Sequence, residues 1–319
     1  MTQKKLKKLI SIVTPVYNEE DNLIELSRQL KKVFSKNTNY EFEVILVENG
    51  SHDKSYLICK EIVQEDSRFK ILKLSRNFGA DGGLTAGLNS ASGDAAVIMA
   101  SDLQDPPELI NEFIKKWEEG FENIYQIVSK RTGTSLLRRL NSQLFYYIVN
   151  RLTGGVMPKN VSDFRLIDKK VYKTINGMQE RNRFIRGLFA WSGFKSIGIS
   201  FARPERFSGK SKAHTLVVLS LALKGIFAYS YIPLQFITWI GVFISSFSFC
   251  FLGVVIFRAL IYGVPFAGYG TIIGVMLLMF GFIFVFLGIV GKYIGLIYEE
   301  VKQRPNFIVS ESVGIEKNE

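Results

Sequence analysis

Two cysteines and two histidines are the only thiol and imidazole groups in this 319-residue chain. Cys59 falls in a polar stretch and Cys250 in a long apolar one, so no disulfide is expected between them. His52 and His214 stand too far apart for a histidine-built metal site. Neither G-x-G-x-x-G nor G-x-x-x-x-G-K-[ST] occurs, which disfavours a dinucleotide enzyme and a P-loop NTPase. The glycines at 79, 82, 83 and 87 then have two readings: close approach of a ligand, or tight turns and close helix packing. The apolar stretch 9–16 is broken by Pro15 and is too short for the core of a signal peptide.

The largest absence is of charge. Residues 225–257 carry none, and neither do residues 259–291, with Arg258 alone between them. Each run exceeds the roughly 20 residues that cross a bilayer core of about 30 Å. Tyr229, Tyr231, Tyr262, Tyr269, Tyr293 and Tyr298 sit near the run ends, where amphipathic rings favour the interface. Two transmembrane helices are predicted. Residues 232–319 hold five Lys/Arg and five Asp/Glu, so the net charge of +11 lies in residues 1–231. The bias of Lys/Arg toward the cytoplasm puts that segment and both termini inside, with the hairpin at 258–270 outside. A basic domain at an anionic membrane suggests phosphate-bearing partners. No aromatic-interleaved basic motif or helix-turn-helix pattern supports nucleic acid.

Apolar runs at 9–13, 42–47, 69–74 and 95–100 alternate with helical patterns, which predicts βαβ units and a parallel sheet. Each run ends in a polar cluster, so the clusters share one sheet edge, where open α/β sheets bind ligands. Tyr17 can stack on a base, and Glu20 and Glu48 can accept from base or ribose hydroxyls. Asp102, Gln104 and Asp105 arrive together before Pro106-Pro107 and offer oxygen ligands to a hard cation on a diphosphate. The plain alternative is a helix cap at Asp105.

Further along, residues 135–152 read as a basic amphipathic helix, either touching the membrane surface or simply solvated. Asp163 and Arg165 are two apart on a strand and share a face, so an intrastrand ion pair competes with a catalytic role. Arg183, Arg186, Arg203, Arg206, Lys210 and Lys212 form a dense basic set before the first apolar run. It reads as a juxtamembrane patch or as a loop that closes on a diphosphate with Gly209 as pivot.

The motifs at 14–20 (TPVYNEE), 48–51 (ENGS), 102–107 (DLQDPP), 162–166 (SDFRL), 183–187 (RFIRG) and 206–212 (RFSGKSK) resemble family 2 glycosyltransferases. Within that family the likeness is to the polyprenyl-phosphate type, which includes bactoprenol glucosyltransferases and dolichol-phosphate mannose synthases. The resemblance implies a GT-A-like, Rossmann-type, mostly parallel α/β sheet with flanking and interfacial helices and two C-terminal transmembrane helices. It implies a cytoplasmic catalytic domain at 1–212, an interfacial helix at 213–231, a membrane hairpin at 232–299 and a cytoplasmic tail at 300–319.

The same resemblance implies nucleotide contacts from Pro15, Tyr17, Asn18, Glu20, Glu48 and Asn49, with Arg206 and Lys212 closing over them. Asp102 and Gln104 would hold Mg²⁺ or Mn²⁺, Arg131, Arg138 and Ser142 would receive the lipid phosphate, and Asp163 matches the catalytic base, with Arg165 beside it. Two departures stand out. The turn after the second strand has Glu48 and Asn49 where the family carries two Asp, and Ala100 occupies the place of the first acid of the Asp-x-Asp motif.

The activity implied is inverting transfer of a hexose, glucose from UDP-glucose as the first choice, to undecaprenyl phosphate for cell-envelope glycosylation. Mannose from GDP-mannose, N-acetylglucosamine, galactose or aminoarabinose are alternatives. A phosphate monoester is mostly dianionic at pH 7, so removing its proton is not the barrier, and Asp163 could instead orient Arg165 or the sugar. Ala100 motivates a rival of another class, a non-catalytic sugar-nucleotide-binding membrane protein. A processive synthase is disfavoured by the missing Gln-x-x-Arg-Trp motif, and a transporter by spans without a central charge pair. A homo-oligomer stays open.

Overall fold

The structure is a computed structural model, and it describes residues 7–128, 161–201, 232–263 and 268–315. Four strands begin it: β1 (Lys8–Val16), β2 (Tyr40–Glu48), β3 (Phe69–Leu74) and β4 (Ala95–Ile98). The helices between them are α1 (Leu23–Lys36), α2 (Ser55–Glu65) and α3 (Gly79–Ser90). A 3-10 turn (Pro107–Leu109) leads into α4 (Ile110–Glu118), followed by β5 (Asn123–Val128), β6 (Val161–Asp168), α5 (Lys169–Gly177), α6 (Ile185–Trp191) and β7 (Ser196–Phe201). Two long helices, α7 (Ile232–Tyr262) and α8 (Tyr269–Lys302), precede a last strand, β8 (Val309–Val313).

All eight strands form one sheet in the order β7-β5-β6-β4-β1-β2-β3-β8. The pairings β1–β2, β1–β4, β2–β3 and β5–β7 are parallel, as alternating strand and helix require. β6 runs antiparallel between β4 and β5, and β8 antiparallel along β3, so the sheet is mixed.

The central strands are apolar throughout because both faces are covered. Ile12, Val44, Leu46 and Val97 point into a core closed by α1, α2 and α4. Val13, Ile45, Val47 and Ile98 point the other way, under α3, α5 and α6. In α1 the buried Leu23, Leu26, Leu30, Val33 and Phe34 recur at helical spacing, which turns one stripe of the helix onto the sheet. Gly87 settles one of the two glycine readings: a Cβ there would collide with Val13 and Val47, so its smallness lets α3 lie close on the sheet.

The opposite, N-terminal edge holds a buried carboxylate. Glu43 accepts from Ser11 Oγ (2.5 Å), Ser92 N (2.9 Å), Ser92 Oγ (2.7 Å) and Lys70 Nζ (2.6 Å).

α7 and α8 contain the two candidate membrane spans, Leu234–Phe251 and Leu278–Lys302. Phe243, Phe249, Leu260 and Val301 on them are each more than 70% exposed, an apolar surface that water would not tolerate and lipid would. Arg258 lies within α7 rather than in the connection, which starts at Gly263. Cys59 is buried and Cys250 exposed on α7, both as free thiols.

After α8 the chain adds the strand β8, Val309–Val313. It starts beside Leu74, at the C-terminal end of β3. Ser75 N donates to Ile308 O at 2.9 Å, so the chain leaves α8 at the sheet edge where the polar clusters gather.

Candidate active site

Two loops at that edge are laced together by side chains. After β1, Asn18 takes a left-handed conformation (φ 53°) and its Oδ1 accepts from His52 N at 2.8 Å. Its own N–H donates to Ser51 Oγ at 3.1 Å, and Glu19 N–H donates to Ser55 Oγ at 2.8 Å. Glu20 Oε2 accepts from Lys54 N at 2.9 Å. Burial pushes the Asp53 carboxyl up, but hydrogen bonds from Ser55 and from the Glu20 backbone outweigh it and hold it below its ordinary value. Tyr17 meets His52 edge-on, with centroids 6.4 Å apart.

Glu48 ends β2 almost fully buried and accepts from Ser51 N. Its neighbour explains one departure from the expected pair of acids. Asn49 Oδ1 accepts from Phe78 N (3.0 Å) while its Nδ2 donates to Gly79 O (2.9 Å). An Asp could accept the first bond but not donate the second. Asn49 therefore pins the loop after β3 to the end of β2. Gly50 (φ 73°) belongs to the same junction, since a Cβ there would lie 2.7 Å from Asn77 N.

The acidic turn after β4 is closed from within. Asp105, 1% exposed, accepts Ala100 N–H on Oδ2 at 3.1 Å. It bonds backward across the turn, and the cap position of the 3-10 turn that follows is taken by Pro106. Ser101 Oγ donates to Pro15 O at 2.9 Å and ties the turn to β1. Asp102 Oδ1 accepts from Gln104 N at 3.2 Å across Leu103, which holds a left-handed φ of 58°. That conformation is costly for a Leu and is characteristic of functional turns. Among the described residues no group of three His, Cys, Asp or Glu could by itself hold a metal ion.

Asp163 comes to this turn through sheet register. Ile98 on β4 pairs with Arg165 on β6, and continuing the antiparallel register by two residues sets Asp163 abreast of Ala100. The intrastrand pair expected with Arg165 does not form. Asp163 is instead gripped by Arg186 of α6, Nε to Oδ1 at 2.8 Å and Nη2 to Oδ2 at 2.6 Å. Arg165 is 2% exposed and donates to the carbonyls of Ser162 (3.2 Å) and Asp163 (3.3 Å), with its guanidinium 4.5 Å from the Phe189 ring. Burial lowers its pKa to about 10, opposed by Asp163, so it stays a cation at neutral pH.

The basic set at 183–212 divides. Arg183 is buried and donates to Ile175 O at 2.5 Å, which makes it a fastening inside the fold rather than part of a surface patch. Arg186 faces the site, a placement the sequence reading missed because its partner lies 23 residues away. Arg131, Arg138, Ser142, Arg203, Arg206, Lys210 and Lys212 lie outside the described residues, as does the amphipathic segment at 135–152. The structure thus brings Pro15, Tyr17, Asn18, Glu20, Glu48, Asn49, Asp102, Gln104, Asp163 and Arg165 to one sheet edge.

Comparison with known proteins identifies the family. The family model Glycosyl transferase family 2 matches residues 11–175. The chain is 39% identical over 307 residues to an uncharacterized glycosyltransferase of Synechocystis sp., covering 96% of both chains. It is 35% identical over 303 residues to the bactoprenol glucosyl transferase of Shigella phage SfII, covering 95% of this chain and 98% of that one. A solved glucosyl-3-phosphoglycerate synthase from Mycobacterium tuberculosis, in complex with Mn²⁺, UDP-glucose and phosphoglyceric acid, aligns with a TM-score of 0.47 at 16% identity, covering 69% of this chain and 78% of that one. The chain belongs to glycosyl transferase family 2 and is a membrane-associated glycosyltransferase with a GT-A-like fold.

Proposed function

We propose that the enzyme transfers glucose from UDP-glucose to undecaprenyl phosphate, with inversion at the anomeric carbon. One observation carries the reading. The edge that gathers Glu48, Asp102 and Asp163 is also the edge where the chain returns from α8 to β8. A site near the end of a spanning helix suits an acceptor whose phosphate lies at the bilayer surface, which supports this reading. The bactoprenol glucosyl transferase name of the phage relative supports this choice of sugar and acceptor. A different hexose on the same lipid class is the nearest variant.

In this reaction an oxygen of the acceptor phosphate attacks the anomeric carbon as the bond to the nucleoside diphosphate breaks. Starting from the phosphate dianion, charge moves from acceptor to leaving group and no proton has to be removed. Asp163 is then best used as an oriented anion that positions the sugar or Arg186, and only weakly as a base. Both its oxygens are engaged by the Arg186 fork, which suits orientation. Arg165 and Arg186 supply two fixed cations beside one carboxylate, an electrostatic bias toward the phosphates. Glu48, Asn18, Glu20 and Tyr17 would bind the nucleoside, while Asn49 holds their loop.

The residues fit a divalent cation that is shared with the donor. One carboxylate (Asp102) and one side-chain carbonyl (Gln104) are too few for a cage of protein ligands, yet Mg²⁺ commonly rests on one or two carboxylates plus substrate phosphates. Such an ion, Mg²⁺ or Mn²⁺, would neutralise the departing diphosphate. Asp105 serves this arrangement by shaping the turn.

Arg131, Arg138 and Ser142 are proposed for the acceptor phosphate, and Arg206 and Lys212 for the donor diphosphate. The proposed topology has the catalytic domain at 1–212, the interfacial segment at 213–231 and both termini in the cytoplasm, with the hairpin crossing the inner membrane. Purified protein incubated with labelled UDP-glucose, undecaprenyl phosphate and Mg²⁺ or Mn²⁺ is expected to yield a labelled lipid. No labelled lipid from UDP-glucose or another common sugar nucleotide would sink the reading.

A further inference from the structure

We infer that Glu300, in the last turn of α8, is a positioning residue for Arg186. It anchors the segment 180–186 so that the arginine fork closes on Asp163. At 34 residues α8 is about 51 Å long, more than a bilayer core of about 30 Å requires, and its last turn meets the segment 180–186 of the catalytic domain. There Glu300 Oε1 accepts from two backbone donors, Arg181 N at 2.8 Å and Asn182 N at 3.3 Å. Just past the helix, Asn306 Nδ2 donates to Glu180 O at 3.0 Å.

Four residues further along, Asp81 of α3 accepts from Ile185 N at 3.2 Å, at the first turn of α6. Between these fastenings Arg183 is rooted in the interior on Ile175 O. The segment is therefore held at one end by the membrane anchor and at the other by the catalytic domain. Arg186 is the next residue, and its two bonds to Asp163 require that α6 start at this place and angle. The charge of Glu300 also reaches the segment. Glu180 is pushed up mainly by burial, with Arg183 opposing and Glu300 adding to the rise. The anchor's other attachment, β8 on β3, keeps α8 from drifting away from this contact.

The catalytic consequence rests on the function proposed above; the structural link does not. Two measurements on the full chain in lipid nanodiscs separate them. In hydrogen exchange, Glu300→Ala is expected to speed exchange of the 181–191 amides while β3 and β8 stay protected, and Glu300→Gln, which keeps an acceptor oxygen, is expected to stay near wild type. Unchanged protection of 181–191 in Glu300→Ala overturns the inference whatever the enzyme catalyses.

In turnover, Glu300→Ala is expected to lower kcat roughly ten- to hundredfold, the scale of a small misplacement of reacting groups, with little change in donor KM. In an Arg186→Gln background the same substitution should do no further harm. Equal losses in the two backgrounds overturn the inference. A wild-type protein that makes no lipid-linked sugar counts against the function and leaves the exchange result to decide the link.

Discussion

Arg186 holds Asp163 through two parallel bonds of 2.8 and 2.6 Å, although Arg165 lies only two residues from Asp163 on the same strand. The nearer arginine bonds backbone carbonyls and stacks on Phe189 instead. Proximity in sequence suggested the wrong partner. The right one comes from α6, 23 residues further along the chain, and its fork geometry matches a carboxylate.

Arg186→Lys keeps the charge and loses the fork, so it should lower kcat about tenfold or more while leaving the fold intact. Asp163→Asn should be more severe, because the amide is uncharged and offers one acceptor oxygen where the Arg186 fork uses two. Steady-state kinetics with the lipid acceptor measure both. An Arg186→Lys enzyme at wild-type kcat would show that the fork has no part in turnover.

The two acids of the turn should separate cleanly. Asp105→Ala strands the Ala100 N–H and is expected to destabilise the chain by about 1–3 kcal/mol. Asp105→Asn retains an acceptor oxygen and should recover most of that loss. Asp102→Ala should unfold near the wild-type temperature yet lose metal-stimulated turnover. Thermal unfolding in detergent, paired with turnover against metal concentration, tests the contrast; a thermally unaltered Asp105→Ala would contradict it.

Glu43 predicts a pH dependence unrelated to catalysis. Burial alone would raise its carboxyl pKa, but Lys70, Ser11 and Ser92 together outweigh burial and hold it below the ordinary value. A carboxyl depressed in the folded state contributes its stability above the unfolded pKa of about 4.3. The contribution is lost as pH falls through the lower, folded value. Glu43→Gln should therefore be less stable at neutral pH and show a flatter decline into acid. Unfolding curves of the two proteins that run parallel from pH 6 to the acid limit of about pH 3 would refute the assignment.

Gly50→Ala should cost at least about 1–2 kcal/mol from the left-handed backbone alone, before the clash with the backbone at residues 76–77 is relieved. Because that contact joins the ends of β2 and β3, the loops bearing Glu48 and Asn49 should loosen together. Calorimetric titration with UDP-glucose is expected to show weaker binding than in the wild type. Unchanged affinity with unchanged stability would mean the junction is softer than its contacts suggest.

Much was determined by the sequence by itself, because it depends on local rules. Charge-free runs longer than a bilayer core specify spanning helices, and apolar runs alternating with helical periods specify a parallel βαβ sheet whose polar strand ends share an edge. That was enough to gather Tyr17, Glu20, Glu48 and Asp102 into one site. Only the tertiary structure decided the rest, because it depends on contacts between residues far apart in the chain. Asn49 replaces an acid since it must donate and accept at once to a loop 30 residues away. Asp105 turns back across its own loop to the Ala100 N–H. β8 returns from the membrane to β3, more than 200 residues earlier, and Arg186 reaches Asp163 through α6. Period and composition report what a segment buries; which donor meets which acceptor is fixed by register and packing, and no local window contains either.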